Sequence, residues 1–202
     1  MTRLLAAFSL ALTLAPALLA ADWPQFRGPG GSGVADDQKP PTKFGPKENL
    51  AWKVAVPPGA SSPVVVGDKL VLTAFENNKL LTICYSARDG KELWRADAGA
   101  KAIEPFHPTE GSPAASTPAS DGKTVVSYFG SCGLIAYGLD GKQLWRFELP
   151  TAVTNNEFGS GTSPVLGGLP SEVEDIAKPA RKGADGLVLL ARDLSKDSAV
   201  YA

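Results

Sequence analysis

The heptapeptide Asp89-Gly90-Lys91-Glu92-Leu93-Trp94-Arg95 is written a second time, with one substitution, as Asp140-Gly141-Lys142-Gln143-Leu144-Trp145-Arg146. Asp-Gly is a tight-turn dipeptide, because glycine accepts the positive φ that a side chain penalises. An apolar run precedes each copy, Leu80 to Tyr85 and Leu134 to Tyr137, and an alternating stretch ending in Trp completes it. The unit reads as strand, hairpin, strand, with a large aromatic at a fixed place on the second strand. The two Trp residues lie 51 positions apart, so one repeat is a whole small sheet. Periods near that length belong to propeller blades or solenoid arrays.

Outward from the phrase, the same grammar sets a first blade at about 61–96. It has an inner strand Ser62-Pro63-Val64-Val65-Val66, a Gly67-Asp68 turn, Lys69 to Phe75, an Asn77-Asn78 turn, Leu80 to Ser86, and Glu92 to Ala96. A second blade, about 116–148, opens on Thr117-Pro118-Ala119 and turns at Asp121-Gly122. It continues through Thr124 to Phe129, Gly133 to Leu139 and Lys142 to Glu148. A third, 162–202, opens on Thr162-Ser163-Pro164-Val165-Leu166, resumes at Leu187 to Ala191, and begins another strand at Ser198 to Ala202. It lacks the Asp-Gly turn and the fourth strand. The fold class expected is all-β: a partial β-propeller of four-stranded antiparallel blades, about three of them, the third incomplete. Closed propellers have about four to eight blades, so the chain reads as a piece of a longer protein.

Between the first two strands of the third blade stands a charged segment, Leu169 to Ala184, acidic first and basic later. It is read as a solvated loop, with a short helix or a partner-contact loop as alternatives. Leu50-Ala51-Trp52-Lys53-Val54 resembles the tail of the phrase without its turn, and reads as the last strand of a blade completed from elsewhere. Residues 22–49 are rich in Gly, Pro and charge and form an irregular lead-in. Within them Gly28-Pro29-Gly30-Gly31-Ser32-Gly33 formally matches a dinucleotide-binding pattern. That pattern needs a strand before it and a helix after it, and Lys39-Pro40-Pro41 opposes the helix. A loop is expected.

Of 202 residues 44% are hydrophobic and 20% charged, with 21 Gly and 17 Pro, a mix that suits many short strands and turns. The net charge of −1, without a basic face, argues against a nucleic-acid partner. Met1-Thr2-Arg3 followed by an apolar stretch, Leu4 to Leu19, and small residues reads as a secretory signal peptide over 1–21. The apolar core is broken by Ser9, Thr13 and Pro16 and falls short of the ~20 residues a spanning helix needs. The mature protein is therefore expected to be exported, periplasmic or extracellular, with no transmembrane segment. Cys84 and Cys132 would then meet a disulfide-permitting compartment. The repeat shift places Cys84 over Ile135 and Cys132 over Leu81, so they hold different blade positions. Isolated buried thiols are favoured over a pair.

Three features together, the phrase Asp-Gly-Lys-x-Leu-Trp, the Ser/Thr-Pro strand openings, and the start Asp22-Trp23-Pro24-Gln25-Phe26-Arg27-Gly28-Pro29, resemble the exported β-propellers built from pyrroloquinoline-quinone-type repeats. The resemblance covers about Asp22 to Ala202. It implies that Gly90 and Gly141 fix hairpins while Trp94 and Trp145, with Trp52, dock against neighbouring blades as structural residues. A buried Trp removes on the order of 150–250 Å² from water, worth roughly 4–6 kcal/mol as an upper figure. The family's usual Ala and Asp before the turn are replaced by Cys84 and Ser86 in one blade, and by Ala136 and Gly138 in the other.

Two functions follow from the resemblance. The favoured one is an exported non-catalytic module that binds an unidentified protein or envelope component as a scaffold, with no cofactor, no metal and no catalytic residue. The alternative is the N-terminal part of a pyrroloquinoline-quinone-dependent oxidoreductase, which would carry that quinone with calcium. The adjacent Cys pair of the quinone dehydrogenases is missing, since Cys84 and Cys132 stand far apart. His107, the only histidine, lies between Glu104 and Glu110 without a second ligand nearby, and a loop-packing or solvent-facing role is expected. Ser160 and Ser163 lie in Gly/Pro-rich strand openings without a nucleophile-elbow pattern.

Overall fold

The computed structural model describes residues 22–36, 38–167, 187–194 and 198–201. The leader, 1–21, and the charged stretch Leu169 to Ala184 lie outside the described residues.

Eleven described strands form three antiparallel sheets. The first runs in chain order through β1 (Val64–Val66), β2 (Lys69–Glu76), β3 (Lys79–Ser86) and β4 (Glu92–Asp97). The second repeats that order with β5 (Ala119–Ser120), β6 (Thr124–Phe129), β7 (Gly133–Gly138) and β8 (Gln143–Glu148). The third joins β9 (Val165–Gly167), β10 (Leu187–Arg192) and β11 (Ala199–Tyr201). Local chemistry sets the turns. Asn77 and Asn78 take φ of 50° and 60° between the paired Glu76 and Lys79, a two-residue hairpin turn that Asn tolerates. Asp121 Oδ1 accepts from the N–H groups of Lys123 and Thr124 at 2.8 and 2.7 Å, which closes the corner before β6.

The sheets stack through alternating side chains. On β7, Ile135 and Tyr137 enter a cluster with Leu80 and Phe129, while Leu134 and Ala136 join Val126, Tyr128 and Leu190 of the third sheet. The middle sheet is thus apolar on both faces, as a blade between two others must be. A buried hydroxyl pair, Thr82 Oγ1 donating to Ser127 Oγ at 2.8 Å, sits in the first seam. The first strands of consecutive sheets are neighbours, β1 beside β5 and β5 beside β9. Their Ser/Thr-Pro openings are linked in series. The Ser62 N–H donates to Thr117 Oγ1, and the Thr117 N–H to Ser163 Oγ, each at 3.0 Å. The architecture is that of consecutive propeller blades.

Three details depart from the sequence reading. The Leu of each repeated phrase is a β-bulge: Cys84 faces Trp94 while Tyr85 faces Glu92, and Ala136 faces Trp145 while Tyr137 faces Gln143. Leu93 and Leu144 are the extra residues, 45% and 54% exposed. The same register puts Cys84 over Ala136 rather than Ile135, because the second turn is one residue shorter. The lead-in is not wholly irregular. Trp23 exchanges two backbone hydrogen bonds with Val65, at 2.9 and 3.0 Å, and the Ser120 N–H donates to Pro24 O at 2.8 Å. Asp22 Oδ1 also accepts from the Gly67 N–H at 2.8 Å. Leu50 to Val54, read as the last strand of a blade completed from elsewhere, has no partner strand among the described residues.

The seam hydroxyls make a first prediction. Ser127→Ala strands the buried Thr82 hydroxyl and should cost about 1–3 kcal/mol, whereas Thr82→Val with Ser127→Ala should be closer to neutral. Urea unfolding at constant m checks it; a double variant as unstable as the sum of the singles contradicts it.

Candidate functional site

The candidate residues Trp52, Gly90, Trp94 and Gly141 lie in the seams between sheets. Trp52 lays its indole on the turn of the first sheet. Its Nε1 donates to Ala87 O at 2.9 Å, and a Cβ built on Gly90 would lie 2.6 Å from the ring. Trp94 does the same to the second sheet, with Nε1 donating to Leu139 O at 3.0 Å and a Gly141 Cβ falling 2.7 Å from the ring. Gly90 and Gly141 have φ of 72° and 84°. Each is therefore required twice, by the left-handed turn and by the close approach of an indole. Asp89 and Asp140 brace these turns through Oδ1, accepting from the Lys91 and Lys142 N–H groups at 3.1 and 3.0 Å. Where the blades carry Ser86 and Gly138, the backbone closes the turn: the Gly90 N–H reaches Ser86 O and the Gly138 N–H reaches Lys142 O.

Trp145 holds the register position of Trp94 but not its surroundings. It is 39% exposed, and the third sheet offers it no fourth strand or Asp-Gly turn among the described residues. Trp94 is in addition packed near Tyr137, with ring centroids 6.0 Å apart. A third indole–glycine contact, not foreseen, lies within the lead-in, where the Trp23 ring covers Gly28 at φ 70°.

The reactive side chains are placed as follows. His107 is exposed, its Nδ1 3.2 Å from Thr109 Oγ1, and its ring packs near Phe158. Glu110 is exposed. Ser163 is spent on the Thr117 N–H. Cys84 and Cys132 are both free and buried. Burial pushes the Cys84 thiol up to about 11 and the Cys132 thiol above its ordinary value, so both stay protonated and weakly nucleophilic near neutral pH. Among the described residues no group of three His, Cys, Asp or Glu side chains is arranged to hold a metal.

Glu104, named from sequence only as a flank of His107, has a burial and a partner that sequence reading did not foresee. It is 1% exposed and accepts the Ser160 hydroxyl proton at 2.6 Å, while its own N–H donates to Ser131 Oγ at 2.9 Å. Gly130 makes room, since a Cβ there would strike both Glu104 and Ser160. Its apolar neighbours Ile103, Pro105 and Phe106 were the available signal for burial. Ser160 and Glu104 have been brought together, but His107 shares no hydrogen bond with either. The arrangement joins the linker after the first sheet to the linker after the second.

Two predictions follow from these contacts. Gly90→Ala and Gly141→Ala should each lose on the order of 2–4 kcal/mol from left-handed strain and ring displacement. Gly67→Ala, at φ 56° with open space around it, should lose only the strain of about 1–2 kcal/mol. Equal losses at all three glycines in chemical denaturation would remove the indole's role. Desolvation, ahead of the hydrogen bond from Ser160, raises the Glu104 carboxyl above its usual range. The folded protein therefore binds this proton more tightly than the unfolded chain does. The stability so gained is full below the unfolded carboxyl pKa of about 4.3 and is lost as pH rises through the folded value. Glu104→Gln should remove that decline, and superimposable stability–pH profiles for the two proteins would contradict it.

No curated protein matches the chain. A family model does, over residues 43–169, which takes in the whole of the first two sheets with both indole–glycine seams. The chain belongs to the pyrroloquinoline-quinone-type repeat family described as outer membrane protein assembly factor BamB.

Proposed function

We propose that the protein is an exported, non-catalytic scaffold of the cell envelope that binds another protein through its propeller. Membership of a family described by an assembly factor supports this reading. The observation that carries it is the pair of bulge residues Leu93 and Leu144, which stand 45% and 54% exposed at equivalent places on successive sheets. Large apolar side chains held in solvent on rigid strands mark protein contacts. Export suits the fold, since a chain cut near Ala21 would start beside Asp22 and Trp23, the residues tied to Gly67 and Val65. No helix among the described residues is long and apolar enough to cross a membrane.

The competing reading, part of a quinone-dependent oxidoreductase, is separated by titration. Pyrroloquinoline quinone with Ca²⁺ should leave Trp fluorescence without a saturable change, and dye-linked alcohol oxidation should be undetectable; saturation with turnover overturns the scaffold. A photo-crosslinker at Leu144 should give a discrete envelope adduct that one at Lys47 does not. Leu93→Glu and Leu144→Glu should weaken that partner at least about tenfold. Fractionation with N-terminal sequencing should find the mature chain outside the cytoplasm, starting at Ala21 or Asp22.

A further inference from the structure

A cavity of about 250 Å³ has Tyr128, Thr154, Asn155, Ser160, Arg192 and Asp193 in its wall. Arg192 comes from the end of β10, Tyr128 from β6, and the others from the linker after the second sheet or the residue following Arg192. Arg192 is only 3% exposed. Its Nε donates to Tyr128 Oη at 2.9 Å, and its Nη2 to Gly130 O at 3.4 Å and to Pro150 O. Those partners are all neutral, and no carboxylate of the described residues forms an ion pair with it. The Glu104 carboxyl is near enough to feel the guanidinium, which acts to lower its pKa, but it lies beyond ion-pair distance, so the cost of burying this cation is only partly offset. Asp193 lines the same space, with Oδ1 accepting from Ser198 Oγ at 2.6 Å.

The remaining groups sort by what they can give. Tyr128 Oη accepts from Arg192, so its own proton is available to a ligand. Thr154 Oγ1 is buried with no partner, a free donor in the wall. Ser160 gives its proton to Glu104, so its oxygen turned to the cavity can only accept. Behind it, Glu104 Oε1 is buried with no partner as well. The wall therefore sets donors beside the buried cation, with Ser160 Oγ and the Asp193 carboxylate as its acceptors. We propose that this cavity binds a small α-hydroxycarboxylate. The carboxylate accepts from Arg192, Tyr128 and Thr154, and the α-hydroxyl donates to Ser160 Oγ. The volume, below the ~300–1,000 Å³ of drug-sized sites, limits the ligand to a few carbons.

The test is calorimetric titration of the mature protein with sodium lactate, against propionate, which lacks the hydroxyl, and lactamide, which lacks the charge. Saturable lactate binding at about millimolar Kd or tighter is expected, with propionate and lactamide at least about tenfold weaker. Thr154→Val removes no hydrogen bond of the fold and should weaken lactate about tenfold; Arg192→Gln should abolish binding. Should Arg192→Gln fail to fold by circular dichroism, Thr154→Val and the two analogues decide. No saturation with lactate, equal affinity for lactamide, or full affinity in Thr154→Val each overturns the site.

Discussion

An indole lying on a left-handed glycine turn is the contact on which the arrangement of sheets depends. The flat ring can approach the backbone only where no Cβ stands, so glycine fixes the spacing between sheets as well as the shape of the hairpin. The Nε1–H then reaches one carbonyl of the same turn, Ala87 O or Leu139 O. An apolar surface alone would let two sheets slide. The directional hydrogen bond and the missing side chain together set one register.

The rest of the seam is consistent with that fixed spacing. The bulge at Leu93 and Leu144 adds a residue opposite Tyr85 and Tyr137, which twists the fourth strand locally. Trp94 and Trp145 come immediately after it. Nearer the axis, the Ser/Thr-Pro openings pass hydrogen bonds from sheet to sheet, so the inner strands are held by polar links and the outer ones by indoles. Between them the middle sheet buries Ile135 and Tyr137 on one face and Leu134 and Ala136 on the other. The linkers contribute the Glu104–Ser160 pair, a buried acid whose desolvation is compensated only in part. Such a frame leaves the bulge residues Leu93 and Leu144 in solvent and a guanidinium-lined cavity beside the third sheet. Binding, in this molecule, is placed on rigid edges and linkers.

Much of this was legible in the sequence because it is local. Asp-Gly, Asn-Asn and Ser/Thr-Pro are short-range instructions, and an unbroken apolar run such as Leu134 to Tyr137 marks a strand covered on both faces. The repeated phrase announced equivalent positions, and the resemblance it carries gave Trp94 and Trp145, with Trp52, one docking role; contacts with a glycine turn are seen at Trp52 and Trp94. Only the tertiary structure decided the rest, since each remaining feature depends on groups distant in the chain. Glu104 meets Ser160 across 56 residues, Arg192 reaches Tyr128 across 64, and Trp23 pairs with Val65 although its own segment has no strand period. The cover over the Trp94 indole comes from the turn of the neighbouring sheet and not from its own. Periodicity fixes what a strand offers; which surface meets it is settled by packing in three dimensions.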